Sequence, residues 1–318
     1  MWKLLFTEAD DYPFPPGFEA RAQELGVELV TTPGYGRDEL RRAGRDCHGV
    51  FLLHASVDGD LLDAWEHCRV LARVGTGYDK IDVAAARRRE VEVTFVPDFC
   101  SDELSDSAML FILALARQLP VATSPGAGGR WRALREIPMP TNLRGMSLGI
   151  LGFGASGQKL AEKAGPFGLR LRTWTRTPKR ERFAALGVEP VSFEEALVSD
   201  IVSVHLPLNE HTRGLIGAPE LARVAPGAWL INIARGEIVD TDALMAALRS
   251  GQLGGAGLDV TDPEPLPDDH PLWVFDNVII TPHCAAISEA AMTTSFLSAL
   301  DDAVAVLNGG TPRHPVPA

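Results

Sequence analysis

Short apolar runs alternate with amphipathic stretches along most of the chain. In the first hundred residues, runs at Lys3–Phe6, Val27–Val30, Gly49–Leu53, Val70–Val74 and Val91–Phe95 predict strands. Between them, Gly17–Leu25, Leu61–His67 and Val83–Arg89 carry helical spacing. Strand and helix in turn, at this spacing, predict a parallel, doubly wound sheet. Asp102 to Leu119 then predicts one long apolar helix with Asp102 as its cap, placed to connect two domains. Pro120 to Asn142 holds Trp131, Arg132 and Arg135 but no clean period. It is too long for an ordinary loop, and is expected to be an arm that packs on something, such as a second subunit. From Ser147 the alternation resumes, with strands at Ser147–Leu151, Leu169–Trp174, Ile201–His205, Ala228–Asn232, Gly255–Val260 and Asn277–Ile280. Ser192-Phe193-Glu194-Glu195 is a capping box that opens a short helix, Asp240–Arg249 is a clearer helix, and Ser288–Leu307 is a final one, stopped by Asn308-Gly309-Gly310.

The first strand of the second half, Ser147–Leu151, runs directly into Gly152-Phe153-Gly154-Ala155-Ser156-Gly157, with Leu160, Ala161 and Ala164 at helical spacing behind it. Strand, glycine turn and helix start are what a dinucleotide pyrophosphate needs. Gly152 permits the turn, Gly154 lets the backbone approach the phosphates, and Gly157 lets the helix lie close to the strand. The helix N-terminus then offers N–H groups and the positive end of its dipole, here from Ala155 and Ser156 onward. Six strands with intervening helices complete a Rossmann domain over 101–287. With that domain in the middle, the ends belong together, as a discontinuous second domain of 1–100 and 288–318.

A chain of 318 residues with 46% hydrophobic and 23% charged residues suits two globular domains. The formal charge of −12 argues against nucleic acid or an anionic membrane as partner, since both call for a basic face. Cys47, Cys68, Cys100 and Cys284 are scattered without metal-ligand spacing, so no metal site is expected, and four reduced thiols point to the cytoplasm. The acidic residues Glu8, Asp10 and Asp11 end the first apolar run too early for a signal peptide, and Ala108–Ala116 is too short to span a bilayer.

A nicotinamide cofactor carries hydride, so the protein must orient a substrate and handle one proton. Arg235, Glu264 and His283 each follow a predicted strand of the second half. Ligands of open parallel sheets bind beyond the carboxyl ends of strands, so all three can meet in one cleft. A guanidinium grips a carboxylate with paired hydrogen bonds. An imidazole oriented by a carboxylate transfers a proton near neutral pH. Taken singly, each is more often a surface charge, a turn residue or a loop histidine; behind a dinucleotide fingerprint and at successive strand ends, the three point to chemistry.

At these residues the chain resembles the D-2-hydroxyacid dehydrogenases (D-isomer specific), over nearly its whole length. Asn232-Ile233-Ala234-Arg235-Gly236-Glu237 resembles the segment carrying the family's substrate-binding arginine, with Ile233 and Ala234 along the cofactor. Gly257-Leu258-Asp259-Val260 and Pro263-Glu264-Pro265 resemble the segments with a nicotinamide-contacting aspartate and the glutamate that pairs with histidine. Thr281-Pro282-His283 is similar to the segment with the catalytic histidine, and His205-Leu206-Pro207, with Thr212 beyond, to the loop along the cofactor. In the first domain, Val74-Gly75-Thr76-Gly77-Tyr78 resembles the loop whose amides take the substrate carboxylate, giving Thr76 and Gly77 to the substrate site. Val96 to Asp106 is similar to the family's entry into its linker helix. The resemblance implies a flavodoxin-like substrate domain, a Rossmann domain, catalysis between them, a homodimer, and transfer of hydride between a nicotinamide and a small 2-oxo or D-2-hydroxy acid.

One departure bears on the cofactor. NAD-using members have an acidic residue after the strand that follows the glycine loop, whereas here Thr175-Arg176-Thr177 stands there, followed by Lys179 and Arg180. Loss of the carboxylate and gain of a cation favour NADP, with NAD as the alternative. His54, at a strand end of the first domain, can touch substrate or be a plain loop histidine. Two other functions stay open: a dinucleotide-sensing regulator on the same fold, and a dehydrogenase of another small anion, such as formate or phosphite. Glu264 fits the hydroxyacid type better than the formate type, where the family places an amide.

Overall fold

The computed structural model of the chain describes residues 1–123, 133–177 and 180–317. These form two compact units, one of Met1–Phe99 with Ile287–Ala318 and one of Cys100–Ala286.

The first unit holds five parallel strands, β1 (Trp2–Phe6), β2 (Val27–Thr31), β3 (Gly49–Leu52), β4 (Val70–Arg73) and β5 (Glu92–Thr94), in the order β2-β1-β3-β4-β5. This is the flavodoxin-like order. The strands read as nearly unbroken apolar runs because helices cover both faces: Leu4, Leu5, Phe6, Val50, Phe51, Leu52, Val70 and Leu71 are all buried. On one face Phe6 and Phe18 lie 5.3 and 5.4 Å, ring to ring, from Phe296 of the helix Glu289–Leu307. Ser288 starts that helix by accepting a hydrogen bond from the Ala291 amide at 3.0 Å. Its length and apolar character would let it cross a membrane, but Phe296, Ala299, Leu300, Ala303 and Leu307 are buried in this core. Beyond it the tail runs back antiparallel to β5, with Phe95 N to His314 O at 3.1 Å and Val316 N to Val93 O at 2.8 Å. Asp302, buried in the helix, clasps the tail by accepting from Arg313 N at 2.8 Å and meeting His314 Nδ1 at 2.9 Å.

Two helices here depart from the hydrophobic pattern. The helix expected over Leu61–His67 is Gly59–Asp63, moved forward because the Asp58 side chain caps it at the Leu61 amide, 3.0 Å away. The helix Arg37–Ala43 leaves no apolar period in the sequence, because only Leu40 of its seven residues is buried.

The second unit holds β6 (Ser147–Leu151), β7 (Arg170–Trp174), β8 (Glu189–Pro190), β9 (Ile201–Val204), β10 (Ala228–Asn232), β11 (Leu253–Leu258) and β12 (Val278–Ile280), all parallel, in the order β12-β11-β10-β9-β6-β7-β8. The sheet has seven strands rather than six; β8 is two exposed residues and leaves no apolar run. The strand order reverses between β6 and β9, the switch point at which doubly wound sheets take ligands. The helix Ser101–Ala116 buries Ala108, Phe111, Ile112 and Leu115 against this sheet. It is shorter than expected, because Gln118 turns to a φ of 55° ahead of Pro120 and the chain restarts as the helix Leu119–Thr123. Asp102 is not its cap. That position is Cys100, and Asp102 sits in the first turn beside Lys159 and Lys163 at 3.5 and 3.4 Å. Of the expected arm, Trp131 lies outside the described residues; Leu134–Glu136 forms a single 3-10 turn.

Candidate functional site

β6 leads into Gly152, whose φ of 98° only glycine adopts easily and whose β-carbon, if it had one, would overlap the His205 carbonyl. Gly154 precedes the helix Ala155–Ala164 in an extended conformation, and nothing lies within 4 Å of where its β-carbon would be. The backbone at the helix start is therefore open to an approaching group, and the first-turn N–H groups have no partner within a helix. Gly157 is the reverse: a β-carbon there would overlap the Gly152 carbonyl and press on Ile150 at 3.2 Å. This combination fits a dinucleotide pyrophosphate.

His205 follows β9 and closes the back of this loop. Its Nδ1 lies 3.1 Å from Ser156 Oγ and its Nε2 2.9 Å from Ser203 Oγ. Desolvation pushes its pKa down to about 3, so the ring is neutral, with one nitrogen donating and the other accepting. Leu206 and Pro207 continue the loop, and Thr212 Oγ1 closes it by donating to the Pro207 carbonyl at 2.7 Å while accepting from Asn209 N at 2.8 Å. The Thr212 hydroxyl is thus committed to loop closure. At the far end of β7, Thr175 is half-buried and Arg176 and Thr177 are exposed; Lys179 lies outside the described residues.

Asn232, the buried last residue of β10, shapes the turn that carries Arg235. Its Oδ1 accepts from Ala234 N at 3.0 Å and its Nδ2 donates to Arg235 O at 2.9 Å. The Arg235 guanidinium, half-buried, donates to Ala234 O at 2.8 Å. Asp259 N donates to Asn232 O at 2.9 Å, and Gly236 packs so tightly on the Thr261 peptide that no side chain would fit. The turns after β10 and β11 are thereby joined, and Arg235 and Glu264 belong to neighbouring turns.

Glu264 and His283 meet directly, with Oε1 2.8 Å from Nδ1. His283 takes a positive φ of 51°, uncommon outside glycine. The cause is Asp259. Its buried carboxylate accepts from Thr281 Oγ1 at 2.6 Å, Cys284 N at 2.9 Å and Ala285 N at 2.9 Å, and its carbonyl accepts from His283 N at 2.8 Å. Burial pushes the Asp259 pKa up, and the hydroxyl and two amides oppose that shift. Asn232 and Asp259 act as braces that pattern reading did not reveal; the available signal was a polar residue at the end of an otherwise apolar strand.

In the first unit, the turn after β4 carries Thr76 and Gly77. Thr76 Oγ1 donates to Val96 O at 2.9 Å, and Arg73 holds the turn by donating to Gly77 O at 2.7 Å and Val74 O at 2.8 Å. Arg73 is a further brace that the sequence did not single out.

A doubly wound sheet with this glycine turn at its switch point defines an NAD(P)-dependent oxidoreductase. The family profile described as D-isomer specific 2-hydroxyacid dehydrogenase, NAD binding domain, matches residues 109–285. Over 311 residues the chain is 37% identical to a glyoxylate reductase of Aeropyrum pernix, spanning 95% of this chain and 92% of that one. It is 36% identical over 273 residues to the D-3-phosphoglycerate dehydrogenase of Homo sapiens, spanning 85% of this chain and 51% of that one. A crystal structure from Thermus thermophilus superimposes with a TM-score of 0.90 at 34% identity, covering 99% of this chain and all of the other. The chain belongs to the D-isomer specific 2-hydroxyacid dehydrogenase family, and its chemistry is hydride exchange between a nicotinamide and small 2-oxo and 2-hydroxy acids.

Proposed function

We propose that the protein reduces a small 2-oxo acid of the glyoxylate type, with His283 as general acid, Glu264 as the group that orients it, and Arg235 as the anchor for the substrate carboxylate. The observation that carries this reading is the 2.8 Å contact between Glu264 Oε1 and His283 Nδ1. With Nδ1 engaged by the carboxylate, the transferable proton resides on Nε2. A bound nicotinamide would supply hydride to the carbonyl carbon, and His283 would deliver the proton to the carbonyl oxygen, which yields the 2-hydroxy acid. The Arg235 guanidinium is tethered to the Ala234 carbonyl of its own turn, so it meets an anion without much loss of freedom. The unit of 1–99 and 287–318, with Thr76 and Gly77 in the turn after β4 as its substrate-binding residues, is the substrate domain. Gly152, Gly154, Ala155, Ser156 and Gly157 hold the pyrophosphate, His205 to Pro207 line it, and Asp259 fixes the turn on which His283 stands.

The cofactor preferred is NADPH. Thr175 and Arg176 stand in the sequence where the ribose-binding carboxylate would be, so no carboxylate at those two positions repels a 2′-phosphate and Arg176 is exposed to receive it. We infer a homodimer as the working form, and a cytoplasmic setting in keeping with cysteines that form no disulfide among the described residues. Turnover of glyoxylate, hydroxypyruvate and pyruvate with each nicotinamide tests the whole reading. His283→Ala is expected to lower kcat by roughly 10²–10⁴-fold, and near-normal kcat on every active acid would overturn the assignment.

A further inference from the structure

Three polar side chains stand behind the glycine turn of the seven-stranded sheet, and burial decides which way their hydrogens point. Ser203 lies in β9, beside Ile201, Val202 and Val204, and is fully buried. Among the described residues its hydroxyl has one hydrogen-bond partner, His205 Nε2 at 2.9 Å. The other ring nitrogen, Nδ1, lies 3.1 Å from Ser156 Oγ. The ring is neutral and carries a single hydrogen, so the chain can run in only two ways. In the first, Nε2 donates to Ser203 and Ser156 donates to Nδ1. The Ser203 hydrogen is then buried without an acceptor, and Ser156 shows only lone pairs to its surroundings. In the second, Ser203 donates to Nε2 and Nδ1 donates to Ser156. This direction places the Ser203 hydrogen in a bond, as buried donors nearly always are. It also leaves the Ser156 hydrogen directed away from the ring. Ser156 is the second residue of the helix Ala155–Ala164, half-buried, among amides that have no partner within the helix.

We propose that Ser203, His205 and Ser156 form a one-way hydrogen-bond relay that makes the Ser156 hydroxyl a donor to the dinucleotide pyrophosphate. The inference rests on the reading that this turn holds the pyrophosphate. A phosphate oxygen only accepts, so a hydroxyl showing lone pairs would repel it. A hydroxyl showing its hydrogen instead adds a charge-assisted bond to those of the first-turn amides. The open space at Gly154, where nothing lies within 4 Å of a β-carbon position, leaves room for the anion beside this turn. Each donor in such a chain is polarised by the one behind it. Which ring nitrogen carries the hydrogen is set by the bond the other one makes, and here Ser203 sets it. Ser156 is the residue that touches the cofactor, while His205 and Ser203 act through it as positioning residues. The relay gives the hydroxyl of Ser203 a use in a strand that is otherwise apolar.

The test joins a spectrum to a binding measurement. In protein labelled with nitrogen-15 at its eight histidines, the ring signals that vanish in His205→Gln belong to His205. They should show hydrogen on Nδ1 and a bare Nε2, with and without NADH; hydrogen on Nε2 overturns the proposal. Dissociation constants for NADH, NADPH and ADP-ribose are then titrated in the wild type, Ser156→Ala, Ser203→Ala and the double variant. Ser156→Ala should weaken all three alike by roughly tenfold, the worth of one hydrogen bond to a charged group. Alanine is a good helix former at this position, so its melting should match the wild type. Ser203→Ala should lose part of the same affinity, and nothing further once Ser156 is alanine, because coupled residues fail to add. Unchanged binding in Ser156→Ala overturns the proposal, as does a Ser203→Ala loss of equal size in both backgrounds. A loss on NADH and NADPH that spares ADP-ribose also overturns it, since the contact would then be to the nicotinamide half. Each of these leaves the dinucleotide reading intact, whereas a wild type that binds none of the three overturns both.

Discussion

Arg176, after β7, and His205, after β9, each have a measurable signature. Arg176→Ala is expected to weaken NADPH roughly ten- to hundredfold, as befits a lost charge-assisted contact, and to leave NADH nearly unchanged. Cofactor titrations of both proteins check this, and a wild type tenfold better with NADH would refute it. His205 has a pKa depressed from 6.5 to about 3. Below the ordinary histidine value the unfolded chain takes up a proton that the folded ring refuses, so the unfolded state binds more protons and stability falls as the pH is lowered. The contribution is whole above about 6.5 and is lost progressively down to about 3. His205→Gln, with a neutral amide facing the two serines, should flatten the dependence of the urea midpoint on pH within that window; an unaltered slope would show that other groups set it. His283 and Arg235 could be read from sequence because a polar residue directly after an apolar strand stands out. The bracing by Asn232 and Asp259 could not, since it is expressed in hydrogen bonds to backbone elsewhere, Asp259 to Cys284 and Ala285 above all.

At the scale of elements, the strand, turn and helix of 147–164 contain two glycines with opposite physical demands. Gly154→Ala places a methyl group in open space on an allowed backbone, so melting should match the wild type while cofactor affinity drops, because the methyl stands where the phosphates approach. Gly157→Ala drives a methyl into the Gly152 carbonyl, and overpacking of this kind costs about 1–3 kcal/mol. Thermal melts together with dinucleotide titration separate the two, and equal destabilisation would contradict the packing argument. Most strands were legible to within a residue or two because parallel sheets bury both faces and leave plain apolar runs. Among the elements missed or shifted, β8 is set by two exposed residues, Arg37–Ala43 by one buried leucine, and Gly59–Asp63 by the cap at Asp58.

At the scale of the whole molecule, Leu110, Leu119 and Met139 are 57, 46 and 82% exposed in the second unit. Exposed apolar groups on an otherwise well-buried helix and the segment after it favour self-association, and two-fold dimers are the commonest oligomers. Light scattering at micromolar concentration should return twice the 34.3 kDa chain mass; a monomer would dismiss the idea. The clasp of Asp302 on the tail carries a separate consequence, for the order of events as the chain is synthesised. Residues 100–286 are continuous and hold their own core, so that unit can close as soon as it leaves the ribosome. The five-stranded sheet emerges first yet finishes last. Phe6, Phe18 and Phe51 wait for Phe296 to cover them, and the β5 edge stays open until His314 and Val316 arrive. For most of translation this protein thus presents a greasy, half-built sheet, the kind of surface that chaperones recognise.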